Sequence, residues 1–223
     1  MPHPADDIVR AMHSATKEDG DTVRRAYDLA EGAHGTELRK SGEPYVTHPH
    51  AIALHLAKLG MDRDTIVAGI LHDTIEDTPL TADEVEQKFG KTVRFLVEGV
   101  TKLSSIKYRG LDRAVESLRR LLVATAADIR VIIIKLADRL HNMETLSFVA
   151  EEKMQRIAKE TMEVYVPIAE RLGIGIFRTK LDDLAFKAMD PKGYAESAAV
   201  LQKRRSETEK ALDEVLKDIK TKL

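Results

Sequence analysis

The sequence predicts an all-α protein on three observations. Among 223 residues, Gly (12) and Pro (7) are sparse while Ala, Leu, Lys, Glu and Arg are plentiful, a composition that favours helices. Apolar residues recur at helical spacing along almost the whole chain. Five Phe, five Tyr and no Trp argue against an aromatic-rich β-sandwich.

Taken in order, the first clear helix covers 21–37, with Val23, Ala26, Tyr27 and Ala30 at helical spacing. A turn-like segment, Arg39 to Pro49, comes next. Pro49 suits the first turn of the next helix, which runs to a stop at Gly60. Residues 63–76 form a mostly apolar helix. Thr81 and Glu84 have capping-box spacing and open a short helix ending near Gly90. Residues 91–103 and 112–127 are helical, with Leu118, Leu121, Leu122 and Thr125 as core packing. Val131–Ile134 is β-branched enough to be a buried strand, but its continuation has helical propensity, so 129–146 is expected as one buried helix. Residues 152–172 and 176–188 continue the pattern. From about 193 to 223 the chain is dense in Lys, Glu, Arg and Asp, with Val200, Leu201, Leu212, Val215, Leu216 and Ile219 regularly spaced. That predicts a long, charged, exposed helix whose apolar stripe wants a partner: the domain itself, a second copy, or further sequence.

Hydrophobic residues make up 43%, enough for a packed core, and the net charge is −2. No general pull toward nucleic acid or an anionic membrane is expected, so any phosphate site must concentrate charge locally. With no cysteine, disulfides and thiolate metal sites are excluded. No stretch approaches the roughly 20 apolar residues of a membrane span, and the start lacks an apolar signal core. The expected location is the cytoplasm.

Four candidate metal ligands stand out: His48, the pair His72-Asp73, and Asp138. Imidazole with carboxylate suits Mn²⁺, Fe²⁺ or Zn²⁺. An isolated histidine is more often surface or satisfied core; the joint occurrence points to a metal. His72-Asp73-Thr-Ile-Glu76-Asp77 comes after an apolar helix, where clustered polar groups are costly unless paired or metal-bound. Glu76 lies four residues from His72 and Asp77 four from Asp73, so each pair would share a helix face. A solvated helix end with scattered acids is the bland alternative. Asp138, Asn142 and Thr145 share a stripe after the most apolar run of the chain. A buried Asp138 must be compensated, by Arg139 in a structural ion pair or by a metal. A bound ion would acidify its water, with Glu76 or Asp77 orienting that water or relaying a proton. Arg39, Lys40, Lys135 and Arg139 supply nearby cations for a polyphosphate. His55 is not expected as a fifth ligand, and His50 is expected to be exposed. His3, His13 and His34 belong to no constellation. His141 is placed to orient a neighbouring ligand.

His…His-Asp…Asp is the signature of the HD phosphohydrolase superfamily. The wider text is more specific: Arg39-Lys-Ser-Gly-Glu-Pro-Tyr-Val-Thr-His48-Pro, Leu71-His-Asp-Thr-Ile-Glu-Asp-Thr78, Phe89-Gly…Gly99-Val-Thr-Lys-Leu103, Asp128-Ile-Arg-Val-Ile-Ile-Ile-Lys-Leu-Ala-Asp-Arg-Leu-His-Asn-Met143 and Ala169-Glu-Arg-Leu-Gly-Ile174. Together, from about residue 20 to the end, they resemble the hydrolase domain of the RelA/SpoT homologue family. The resemblance implies an all-α HD-domain helical bundle with a long charged C-terminal helix. It implies removal of the 3′-pyrophosphate of (p)ppGpp to give GDP or GTP. It also implies one Mn²⁺ on His48, His72, Asp73 and Asp138, other divalent ions being possible. Glu76 and Asp77 match the catalytic acids. Asn142 is carried over to the catalytic and, with Thr145, to the substrate positions. Arg39, Lys40 and Ser41 match a loop on the guanine and ribose side, and Arg139 joins this substrate set. Residues 1–190 would be the hydrolase domain. Residues 191–223 would be a connector to a synthetase domain, so that the chain is a short form or piece of a bifunctional enzyme. No Gly-rich phosphate loop suggests a synthetase site here.

Two other functions stay open at this point. One is an HD phosphohydrolase for another nucleotide such as NADPH. The other is a catalytically silent regulatory module acting through the terminal helix, as a homo-oligomer or with the missing synthetase domain. Neither nucleic acid nor a membrane is expected as partner.

Overall fold

The computed structural model describes residues 2–104, 128–202, 204 and 208, and among them there is no β-strand. The expected helix 112–127 and its Leu118–Thr125 stripe lie outside the described residues, as does most of the terminal stretch; 191–202 is helical.

The chain opens with a short helix that the periodicity did not show, α1 (Asp6–Ala11), and α2 (Lys17–His34) starts earlier than expected. The start is set by a capping box: Thr16 Oγ1 accepts from Asp19 N, and the Asp19 side chain accepts from Thr16 N. Gly35, at φ 55°, ends it. The segment to α3 (Thr47–Lys58) is a tight loop: Arg39 N donates to Glu43 O and Gly42 N to Arg39 O, both at 2.9 Å. Gly42 takes φ 85°, which a side chain would disfavour. As predicted, Pro49 sits in the first turn of α3 and Gly60 lies just past its end at φ 81°.

The expected helix 63–76 is broken. α4 (Arg63–Leu71) stops at His72, and α5 (Thr74–Asp77) is a single turn after Asp73. α6 (Ala82–Phe89) carries both halves of the predicted Thr81–Glu84 box, and α7 is Lys91–Ser104. α8 (Ile129–Glu144) is one helix with Val131–Ile134 buried, so the strand alternative fails. A 3₁₀ turn (Leu146–Phe148) leads to α9 (Glu151–Glu160), which passes through a π-helical stretch, Thr161–Tyr165, into α10 (Val166–Arg171); α11 is Gly175–Met189.

α8 is the axis of the bundle, packed by α3, α4, α7 and α11. Its buried face, Ile132, Ile134, Leu136 and Leu140, joins Ile52 and Leu56 of α3, Ile66 and Ile70 of α4, and Leu96 of α7 in one core. At about 25 cal/mol per Å² of buried apolar surface, such a core supplies the main drive to fold. Two glycines allow close approach: a Cβ on Gly69 would lie 2.5 Å from Leu56 Cδ1, and one on Gly99 2.9 Å from Val131 Cγ2. This tight packing brings the ends of α4 and α8 and the start of α3 to one place.

Candidate metal centre

His48 comes from the first turn of α3, His72 from the end of α4, and Asp138 from the buried face of α8. All three are buried, and their potential ligand atoms lie within 4.8 Å of one another. His48 Nε2 is 3.3 Å from Asp138 Oδ1 and 3.6 Å from Asp73 Oδ2. Asp73 Oδ1 is 2.8 Å from His72 Nε2. The break after Leu71 places Asp73 here, since its backbone (φ −97°, ψ −13°) departs from the α4 path.

The residues fit a divalent cation. His72 Nδ1 lies 2.9 Å from the Gly69 carbonyl, which can only accept, so Nδ1 carries the proton and Nε2 holds a lone pair. That Nε2 is fully buried with no aligned hydrogen-bond partner, although Asp73 is close. A buried lone pair facing two carboxylates is costly unless a cation or a proton sits between them. Without an ion a proton takes the place: burial would depress the His72 imidazole, but the Asp73 charge outweighs it and raises it. Burial likewise would lift the Asp73 carboxyl, but His72 and then His48 hold it down to about 2.

Partners fix each carboxylate. Asp138 Oδ1 accepts from Asn142 Nδ2 and Oδ2 from Lys135 Nζ, both at 2.6 Å. Burial would raise the Asp138 carboxyl, yet the Lys135 charge beside it holds it well below its usual value. Arg139, the alternative to a metal as the compensating partner of Asp138, pairs with Glu160 at 3.2 Å and lies 4.1 Å over the Tyr165 ring. The π-helical stretch presents that ring; such stretches often re-aim side chains at functional sites.

Tyr45 was not expected here. Its hydroxyl donates to Asp73 Oδ2 at 2.9 Å and lies 3.3 Å from Asp77 Oδ2. Burial, then the Asp73 charge, raises its phenol. His34, assigned to no constellation, is buried and stacks on Tyr45 at 4.1 Å between centroids. Glu76 and Asp77 are exposed on α5. Asp77 shares a face with Asp73 as its spacing implies: its N–H donates to Asp73 O at 2.9 Å, and both carboxylates meet the Tyr45 hydroxyl. His50 is half-buried rather than exposed and contacts Asp7 at 3.0 Å; His55 contacts Glu144 at 3.1 Å, away from the cluster.

Beside the cluster opens a cavity of about 600 Å³, large enough for a nucleotide. Arg39, Lys40, Ser41, Arg139, Asn142 and Thr145 all line it, together with His48, Asp138 and Lys135 and the apolar Leu38, Leu146, Phe148 and Val149. Arg39 reaches across to His141 Nδ1 at 3.2 Å and Thr145 Oγ1 at 3.3 Å. Burial, then the His48 and Arg39 charges, lower His141 to about 3, so it is neutral.

Comparison with known proteins gives a consistent answer. A family model described as "HD domain" matches residues 26–175. The guanosine-3′,5′-bis(diphosphate) 3′-pyrophosphohydrolase of Aquifex aeolicus (strain VF5) is 48% identical over 190 residues, 85% of this chain and 27% of that protein. The bifunctional (p)ppGpp synthase/hydrolase SpoT of Escherichia coli (strain K12) is 46% identical over 202 residues, 90% of this chain and 29% of that protein. The chain thus spans less than a third of the length of these curated relatives. A solved structure described as a metazoan ortholog of SpoT that hydrolyzes ppGpp superposes with a TM-score of 0.54 at 23% identity, covering 80% of this chain and 98% of that one, which supports the fold. With His48, His72 and Asp138 converging inside the matched segment, the chain belongs to the HD domain family and, within it, to the RelA/SpoT homologues.

Proposed function

We propose that this chain removes the 3′-pyrophosphate of (p)ppGpp, giving GDP or GTP and pyrophosphate, with Mn²⁺ bound by His48, His72, Asp73 and Asp138. The observation that carries the reading is the orphaned Nε2 of His72 inside the His48–His72–Asp138 cluster, two members of which, His48 and Asp138, line a cavity that also holds several cations. The activities for which the relatives are named support the substrate. A divalent ion there supplies an acidified water and polarises a phosphoryl oxygen.

The chain's own residues do the rest. Asn142 and Lys135 hold Asp138 from both oxygens, and Tyr45 holds Asp73 while touching Asp77. Glu76 and Asp77, on the turn after Asp73, hold or move the water's proton. In the reaction the bond from the ribose 3′-oxygen to phosphorus breaks, one from the water oxygen to that phosphorus forms, and the 3′-oxygen gains a proton. Arg39, Lys40, Ser41, Arg139 and Thr145 position the nucleotide; Arg139, held by Glu160 and Tyr165, is a preorganised cation for phosphate. No helix among the described residues is long and apolar enough to cross a membrane. We read residues 191–223 as a charged connector from the 1–190 domain to a synthetase domain.

The test incubates the chain with ppGpp and Mn²⁺, beside Asp73→Ala and a metal-free sample, and follows products by ion-exchange chromatography. GDP and pyrophosphate should appear only with metal and intact Asp73. Turnover of NADPH but not ppGpp would replace the substrate; turnover of neither would replace the activity.

A further inference from the structure

His141 is not in the ligand set, yet it stands directly behind one of the ligands. Its Nδ1 is 2.8 Å from His48 Nδ1, and the two rings lie 5.0 Å apart between centroids. Two imidazole nitrogens at that distance must share one hydrogen, because facing lone pairs would repel. The hydrogen can be assigned. Arg39 Nη1 is 3.2 Å from the same His141 Nδ1, and a guanidinium has donors but no acceptor. His141 Nδ1 is therefore an acceptor, shared between Arg39 and His48. It follows that His48 Nδ1 carries the hydrogen, and that His48 Nε2 is a bare lone pair 3.3 Å from Asp138 Oδ1. This repeats at His48, with a histidine as acceptor, what the Gly69 carbonyl does for His72.

We propose that His141 is a positioning residue for the metal centre: its Nδ1 accepts from His48 Nδ1 and thereby locks His48 in the tautomer and ring orientation that present Nε2 to the ion. Partners of this kind, fixing the far nitrogen of a ligating imidazole, typically change metal affinity 10- to 100-fold when removed. Because Arg39 also lines the nucleotide cavity, the lock ties the substrate loop between α2 and α3 to the metal ligand. The inference rests on the cluster being a metal centre, and not on which nucleotide is cut.

The test is Mn²⁺ titration calorimetry on the nucleotide-free chain, comparing wild type with His141→Asn and His141→Ala. Asparagine keeps an acceptor oxygen near the Nδ1 position; alanine does not. H141A should weaken Mn²⁺ binding by about 10- to 100-fold, while H141N stays within about threefold of wild type. Circular dichroism on the metal-free samples should show unchanged helix content in both. Wild-type affinity in H141A, or equal losses in both variants, would overturn the proposal. A second readout needs no variant: ¹⁵N NMR of the Zn²⁺-loaded wild type should show His48 protonated at Nδ1 and metal-bound at Nε2, and the opposite pattern would overturn it. A wild-type chain that binds neither ion would instead overturn the metal-centre reading beneath it.

Discussion

Each imidazole at the centre has one nitrogen turned away from the ion site and held there, His72 by the Gly69 carbonyl and His48 by His141. The carboxylates are held in the same way, Asp138 by Lys135 and Asn142 and Asp73 by Tyr45. This makes the partners testable one at a time. Tyr45→Phe removes the hydroxyl that holds Asp73 beside Asp77 while keeping the ring stacked on His34; it should lower ppGpp turnover by roughly 10- to 100-fold without unfolding the chain. An initial-rate assay with a thermal melt checks this, and a wild-type rate would deny Tyr45 any role. Glu160→Ala removes the carboxylate that pairs with the little-exposed Arg139 and should cost about 3 kcal/mol in denaturant unfolding. At this scale the candidate ligands, which the fold does bring together, were legible because His48, His72, Asp73 and Asp138 are chemically unusual where they stand. Tyr45 was not, because its meaning comes from Asp73, 28 residues away, and nothing in Pro44-Tyr45-Val46 announces that contact. The side-chain partner of Asp138 was not legible either: adjacency offered Arg139 as an alternative to a metal, but one helical step around α8 turns it to Glu160, while Lys135, a turn earlier, faces Asp138.

Helices hold these residues in place, and the break after Leu71 matters most. Continuous helix would have carried Asp73 round the axis of α4; ending α4 at His72 lets both residues reach the cluster. Periodicity could not show this, since His72 to Asp77 contains no Gly or Pro to mark a break. The π-helical stretch was equally hidden, because no residue type encodes it. Caps were legible where the motif was complete, as at Thr81–Glu84. The start of α2 was missed although Thr16 and Asp19 form the same motif with a shorter acid. The buried run Val131–Ile134 was resolved correctly by the helix-forming residues from Lys135 onward. Two substitutions separate these contributions in equilibrium unfolding. Ile134→Ala opens a cavity in the fully buried face of α8 and should cost about 3 kcal/mol. Thr81→Ala removes an exposed cap and should cost only about 1 kcal/mol.

Across the whole molecule, the bundle places the α2–α3 loop, the end of α8 and one face of α9 around one cavity, so Arg39, His48, Asp138, Thr145 and Glu160, far apart in sequence, share its lining. A charged clasp helps to hold α4 against α8. Asp128 caps α8 and receives the Arg130 guanidinium at 2.7 Å, and Arg130 also reaches Asp62, the cap of α4, at 2.9 Å. The Arg130 hydrogen bond holds the Asp128 carboxyl below its usual value despite the opposing effect of burial. Since the folded value is the lower one, the clasp stabilises fully above the unfolded value, about pH 4, and the contribution is lost as pH falls through the folded value. Asp128→Asn should therefore be less stable than wild type at pH 7, with the gap closing in denaturant titrations below about pH 4. Running the ppGpp reaction in ¹⁸O-water with Mn²⁺, beside His72→Ala, asks whether water activated at the His48–His72–Asp138 cluster attacks phosphorus. GDP and pyrophosphate should form with the label in pyrophosphate, and nothing should form without His72. Label on the 3′-hydroxyl of GDP, or turnover that survives the loss of His72, would contradict it.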